Sequence, residues 1–333
     1  MSVIRVTNLV KIFRTFKRRE GVLGSVQDLF HREYRNLVAV DGVSFNVEPG
    51  ELIGYIGPNG AGKSTTIKML TGILKPTSGE MEVLGFHPYR DRKAYTKHIG
   101  VVFGQRTQLW WDIAAQESFR LLARIYEVSD AQYRERMETL DRILALKELL
   151  HQPVRKLSLG QRIRCDIAAS LLHNPEILFL DEPTISLDAV AKDSIRNFLS
   201  QINREFKTTV ILTTHDLKEI EELCKRIVIL DKGKIIYDGP LSTIRAMPGL
   251  RRRIVIDFPG DAPLDSVNNN FTPRITFIQE SARRLSAAFD PHETPTVELI
   301  KEVVTHHDVS DLTVTEPSLE VVVMKIYRDG EVR

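Results

Sequence analysis

Only two cysteines, Cys165 and Cys224, occur in 333 residues. That is too few for a disulfide framework or a zinc cluster, and it fits a reducing compartment. No apolar run reaches the length of a membrane-spanning helix. The start, from Met1 to Asn8, lacks the charged stretch and apolar core of a secretion signal, so the chain is expected in the cytoplasm. The formal net charge is only +2, which gives no global field to attract nucleic acid. No internal repeat and no low-complexity tract appears. What remains, 42% hydrophobic and 27% charged, is the make-up of a globular protein large enough for one sizeable domain and a smaller one.

Strand and helix patterns alternate along most of the chain. Ile4 to Leu9 and Val38 to Val47 are β-rich runs. Between them, Lys11 to Asn36 is basic, with seven Lys/Arg against three Asp/Glu, and Leu23, Val26, Leu29 and Phe30 fall on one helical face. Ser129 to Leu150 reads as a helix capped by Ser129. Lys192 to Phe206 reads as another, and Ile227 to Tyr237 as a hairpin turning at Lys232-Gly233. The alternation predicts an α/β core on a mainly parallel sheet. After Pro240 the pattern becomes short strands, among them Arg274 to Gln279, and two helices, Pro295 to Val304 and Ser318 to Tyr327. That is a small α+β unit.

The most specific local signal is Gly57-Pro58-Asn59-Gly60-Ala61-Gly62-Lys63-Ser64, followed by Thr65. It stands between an apolar strand, Glu51 to Ile56, and a helix start, which is the context a phosphate-binding loop requires. Glycines let backbone N–H groups turn inward around an anion, and the helix adds its positive end. Lys63 is then the residue to reach the β and γ phosphates of a nucleotide, and Ser64 a ligand for Mg²⁺.

Ile177 to Leu180 is a buried-type strand that ends in Asp181-Glu182. A strand of an open α/β sheet delivers such residues to the edge where nucleotides bind. Asp181 is the candidate metal carboxylate and Glu182 the candidate for polarising an attacking water. Thr209 to Thr214 is a further β-rich run, and it ends at His215, a candidate contact to the γ-phosphate.

Together these features resemble the nucleotide-binding subunits of ABC transporters. Gly100-Val101-Val102-Phe103-Gly104-Gln105 is similar to the family's Q-loop, with Gln105 a metal ligand. Leu157-Ser158-Leu159-Gly160-Gln161-Arg162 is similar to its L-S-G-G-Q signature, and Ser186-Leu187-Asp188 to its D-loop. The resemblance covers about residues 1–240. It implies a P-loop NTPase cassette with a mainly parallel sheet core, an antiparallel β subdomain and a helical subdomain at about residues 106–174. The basic insertion spans 11–36, and a C-terminal accessory domain spans 241–333. It further implies ATP and Mg²⁺, and a head-to-tail pair, either a homodimer or a pairing with a second cassette. In that pair Ser158, Gly160 and Gln161 of one subunit face the ATP held by Gly57 to Thr65 of the other.

The resemblance also implies an adenine-stacking aromatic near the first strand. By spacing to Val43, Tyr34 is the better match and Phe13 the runner-up. Leu159 departs from the signature by replacing its first glycine. Ile73 to Gly79, the segment Val101 to Asp112 with Trp110-Trp111, and Pro317-Ser318-Leu319-Glu320 resemble ABC-2-type systems, which are mostly exporters. The expected partner is therefore an ABC-2-type transmembrane permease, with the chain peripheral on the cytoplasmic face of the membrane and no nucleic-acid role. Gln105 and Gln108 to Asp112 are expected beside the permease groove. The main rival is a soluble ABC ATPase of translation or DNA repair. A single cassette, and only 51 residues between Gln105 and Leu157 without sustained heptads, argue against it. A third reading, an inactive ATP-sensing cassette, is opposed by intact Lys63, Glu182 and His215.

Overall fold

The computed structural model describes residues 2–16, 34–104, 106–245, 247, 249–271 and 274–329. Two compact units divide the chain, Met1–Gly239 and Pro240–Arg333.

The first unit opens with β1 (Ile4–Phe16), β2 (Tyr34–Val47) and β3 (Leu52–Ile56), then α1 (Lys63–Leu70) and β4 (Ser78–Val83). Next come α2 (Arg92–Tyr95), β5 (Ile99–Phe103), α3 (Ala115–Ile125), α4 (Asp130–Leu144) and α5 (Leu159–Leu171). It closes with β6 (Ile177–Asp181), α6 (Ala189–Phe206), β7 (Thr209–Thr213), α7 (Leu217–Leu223), β8 (Arg226–Asp231) and β9 (Lys234–Pro240).

Six strands form one sheet in the order β5-β6-β7-β3-β8-β9. The pairs β5/β6, β6/β7, β7/β3 and β3/β8 are parallel. Strands β3 and β7 are buried along their whole length, as the near-continuous apolar runs of a sheet covered on both faces demand. The two-residue turn Lys232-Gly233 has φ of 46° and 82°, the positive pair that matches hairpin twist. A second sheet, β2-β1-β4, is antiparallel. Its inward residues Ile4, Val6, Leu9, Val43 and Phe45 share one core with Ile67, Met69 and Leu70 of α1 and with Ile53, Tyr55 and Phe179 of the parallel sheet. Helix α1 is thereby held at the seam of the two sheets. Among the described residues no helix is long and apolar enough to cross a membrane.

Several sequence-based bounds shift. Strands β1 and β2 run on past Leu9 and begin before Val38, pairing out to Phe16 opposite Tyr34. Part of the stretch taken as an insertion is therefore a hairpin ladder, anchored where Ile12 N donates to Thr77 Oγ1. The stripe of Leu23, Val26, Leu29 and Phe30 lies outside the described residues. The helix expected to reach Leu150 ends at Leu144, because Ala145 turns left-handed with φ 48° and its N–H closes on Asp141 O. Helix α6 begins earlier than Lys192, at Ala189, since the Asp188 carboxylate accepts Ala191 N and caps it. Helices α3 and α7 were not foreseen.

The second unit contains α8 (Leu241–Arg245), β10 (Arg252–Asp257), α9 (Leu264–Phe271), β11 (Ile278–Ser281), β12 (Arg284–Phe289), α10 (Thr296–His306), β13 (Asp311–Thr315) and α11 (Leu319–Asp329). Its antiparallel sheet has the order β11-β12-β10-β13, the split β-α-β-β-α-β arrangement of ferredoxin-like folds. Its own core joins Ile254, Ile256, Val267, Phe271, Phe277, Leu285 and Leu299. The strand expected from Arg274 starts only at Ile278. Before it, Phe277 N donates to Asn268 Oδ1, which ties the segment to α9.

Candidate nucleotide site

The phosphate-loop sequence joins the end of β3 to the start of α1 at the carboxyl edge of the parallel sheet. Gly62 caps α1 with φ 106°, a conformation suited to glycine. A side chain there would strike the Ala39 carbonyl, so β2 closes one wall of the loop. Thr66 Oγ1 donates to Gly62 O at 3.1 Å and Tyr55 Oη donates to Thr66 Oγ1 at 3.3 Å, which braces the helix start from below. Lys63 is 5% exposed, and its Nζ donates to Gly57 O at 2.7 Å and Pro58 O at 3.2 Å. Burial lowers its pKa below the usual lysine value, against the opposing pull of the Glu182 and Asp181 carboxylates. An ammonium with two carbonyl contacts inside a loop of backbone N–H groups is a fixed positive centre suited to phosphate.

The carboxylates enter from the next strands. Asp181 ends β6, and its Oδ1 accepts the Ser64 hydroxyl at 3.1 Å and the Thr213 hydroxyl at 2.6 Å. Ser64 and Asp181 are thus adjacent hard oxygen donors, a set that fits Mg²⁺ completed by water and phosphate oxygens. Glu182 follows with φ 52°, and its N–H reaches both Thr213 O at 3.0 Å and Thr213 Oγ1 at 3.1 Å. Glu182, Asp181, Ser64, Phe103 and Arg106 line a cleft of about 350 Å³. Gln105 lies outside the described residues. Its neighbour Gly104 donates to Asp181 O at 2.9 Å and rests directly on the Glu182 carbonyl. His215 is exposed in the loop after β7, the strand flanked by β6 and β3. The next residue, Asp216, caps α7 and pairs with Lys192 Nζ at 2.6 Å, which ties the histidine loop to α6.

Ser158, Gly160 and Gln161 are not brought to this cleft within the chain. They line a separate groove of about 600 Å³ with Ser186 and Asp188. Ser158 and Gln161 form a reciprocal capping box at the start of α5, so that helix end is ordered. Gly160 packs against Ala191 of α6. Leu159 is the first helical residue and half-buried, a position that the capping box tolerates.

Tyr34 and Phe13 stand at different heights on the β1–β2 hairpin. Val40, against Gly62 of the phosphate loop, is three positions from Leu37, the partner of Phe13, and six from Tyr34. At about 3.3 Å per residue, Phe13 is roughly 10 Å nearer the loop than Tyr34. The Tyr34 ring is also covered by the Arg14 guanidinium at 4.0 Å. In the loop after β5, Trp110 and Trp111 are 43% and 48% exposed, with Arg162 lying 5.3 Å from the Trp111 ring centre. Thr213, Lys192 and Asp216 were not singled out from the sequence. The signal for Thr213 is its register opposite Asp181, which only strand order reveals.

The family model for ABC transporters matches residues 40–185. The chain is 32% identical over 215 residues to the ABC transporter ATP-binding protein NatA of Bacillus subtilis (strain 168), spanning 65% of this chain and 87% of that protein. It is 30% identical over 292 residues to the linearmycin resistance ATP-binding protein LnrL of the same organism, spanning 87% and 93%. Among solved structures, it is similar to a dimeric post-hydrolysis state of the ATP-binding cassette MJ0796 bound to ADP and Pi. There the TM-score is 0.59 at 28% identity, covering 72% of this chain and 98% of that one.

Proposed function

The chain belongs to the ABC transporter family as an ATP-hydrolysing, ATP-binding subunit, and from that premise we propose that it drives export through a separate ABC-2-type permease at the cytoplasmic face of the membrane. Two cassettes, two copies of this chain or this chain and a second one, close on ATP. The backbone from Gly57 to Thr65 with Lys63 holds the phosphates of one ATP. Ser158, Gly160 and Gln161 of the other cassette cover it. Ser64 and Asp181 would hold Mg²⁺, with Gln105 as a further ligand, and the ion would offset the charge of the β and γ phosphates. Glu182 orients the attacking water and takes up its proton, and His215 contacts the γ-phosphate. ATP favours the closed pair, and hydrolysis removes that preference.

The observation that carries this reading is the shared Asp181 oxygen, which binds Ser64 of the phosphate loop and Thr213 beside Glu182. It supports bringing the proposed metal and water residues together, while Ser158, Gly160 and Gln161 line a separate groove that a second cassette would complete. Relatives named for linearmycin, bacitracin and daunorubicin systems support the export reading over a soluble translation or repair ATPase. Phe13 takes the place of Tyr34 as the adenine platform in this proposal, on its shorter distance to the loop. The exposed Trp110-Trp111 pair is the proposed permease contact, since large aromatics dominate interface anchors.

Chromatography of Glu182→Gln with ATP and Mg²⁺ tests the core of the proposal. A shift to twice the mass, absent with ADP, is expected. A monomer at saturating ATP would overturn the pairing of two copies of this chain.

A further inference from the structure

Helix α5 begins at Ser158 and carries, two turns further on, a buried acid that the ATP chemistry does not use. Asp166 is 4% exposed. Its Oδ1 accepts the Thr107 hydroxyl at 2.8 Å and Gln108 N at 3.0 Å. Gln108 Nε2 donates back to Asp166 O at 2.8 Å. Thr107 Oγ1 in turn accepts Leu109 N at 3.1 Å, and Trp110 N donates to Ser118 Oγ of α3 at 3.1 Å. One turn before Asp166, the Arg162 guanidinium lies 5.3 Å from the centre of the Trp111 ring. The segment from Thr107 to Trp111 is therefore stapled to the side of α5, with the buried carboxylate at its centre.

We propose that Asp166 is a positioning residue that makes the Thr107–Trp111 segment and the Ser158 helix start one rigid body. An α-helix rises 1.5 Å per residue, so Ser158 and Asp166 sit roughly 12 Å apart along a stiff rod. A displacement imposed at either end reaches the other through hydrogen bonds rather than through a mobile loop. A buried carboxylate suits this role because its bonds to a hydroxyl and a backbone N–H are charge-assisted and have no water to replace them. The inference rests on the reading that ATP closes a second cassette onto Ser158.

Trp110 and Trp111 are the two tryptophans of the chain, so intrinsic fluorescence reports this segment directly. The experiment uses the full chain in the Glu182→Gln background, with ATP and Mg²⁺ added. A change in tryptophan emission and in iodide quenching is expected as the pair closes. In Asp166→Ala that ATP-dependent change should fall at least threefold, while affinity for a fluorescent ATP analogue stays within twofold and dimer formation persists. Asp166→Asn keeps an acceptor for Thr107 and Gln108 and should restore most of the signal. If Asp166→Ala does not fold, the double variant Thr107→Val with Gln108→Ala removes the two side-chain bonds of the staple from its other side and leaves only Gln108 N on Asp166. An undiminished signal in a folded staple variant, or a silent parent that still binds ATP and dimerises, overturns the proposal alone. Failure of the parent to bind ATP or dimerise would instead sink the reading it rests on.

Discussion

Thr213 and Asp181 face each other across the parallel strands β7 and β6, and the threonine hydroxyl donates to Asp181 Oδ1 at 2.6 Å. The same oxygen accepts the Ser64 hydroxyl, so two hydroxyls fix the carboxylate. Thr213→Val keeps the shape and removes one donor. Outer partners of metal ligands are commonly worth about tenfold or more in metal affinity. The Mg²⁺ concentration for half-maximal ATPase is therefore expected to rise roughly tenfold in Thr213→Val and to stay near wild type in Thr213→Ser. Equal Mg²⁺ titrations in all three proteins would remove Thr213 from the site.

Glu182→Gln retains the size of the side chain and loses its basicity. Turnover is expected to drop by about 10²-fold or more, as for loss of a general base. Affinity for ATP should be kept. Steady-state phosphate release paired with nucleotide binding separates the two quantities, and near-normal turnover would assign the water-activating role to another group.

Phe13→Ala and Tyr34→Ala compare two rings on one hairpin. Stacking of a base on an aromatic side chain contributes about 1–3 kcal/mol, so the Phe13 variant should bind ATP at least fivefold more weakly. Tyr34→Ala should change affinity less than twofold. A larger loss in the Tyr34 variant would return the adenine to the far end of the hairpin.

Asp166 gives stability a defined pH dependence. Burial pushes its carboxyl up to about 6, even though Thr107, Gln108 and Arg162 favour the charged form. A carboxyl raised in the folded state binds its proton where the unfolded chain has already released it. Stability from this group therefore falls as pH rises from about 4 to about 6. Asp166→Asn should remove that slope, read as the difference between wild-type and variant denaturation midpoints across this range. Parallel midpoints at every pH would mean that Asp166 titrates as an ordinary surface acid.

The sequence was most legible where chemistry is local. The phosphate loop needs glycines, a lysine and a hydroxyl in one short run, and the two carboxylates need only the strand that carries them. Residues whose role arises from distant pairing stayed hidden. Thr213 is an ordinary β-strand threonine until the strand order sets it against Asp181. Asp166 is the one acid in its helix, and nothing nearby in sequence shows that Thr107 and Gln108 come to it. The choice between Tyr34 and Phe13 depends in the same way on pairing that sequence spacing does not carry. Register shifts between Leu9, Lys11 and Ile12 break the count between Val43 and the far end of the hairpin, whereas Leu37 to Tyr34 pairs without a shift.

Gly104 lies so close to the Glu182 carbonyl that a β-carbon would overlap it. Position 104 therefore takes a larger residue only if the backbone at Glu182 and Pro183 shifts. In a library sampling all residues at each position, selection for ATP turnover should leave glycine at position 104 while Leu159 drifts.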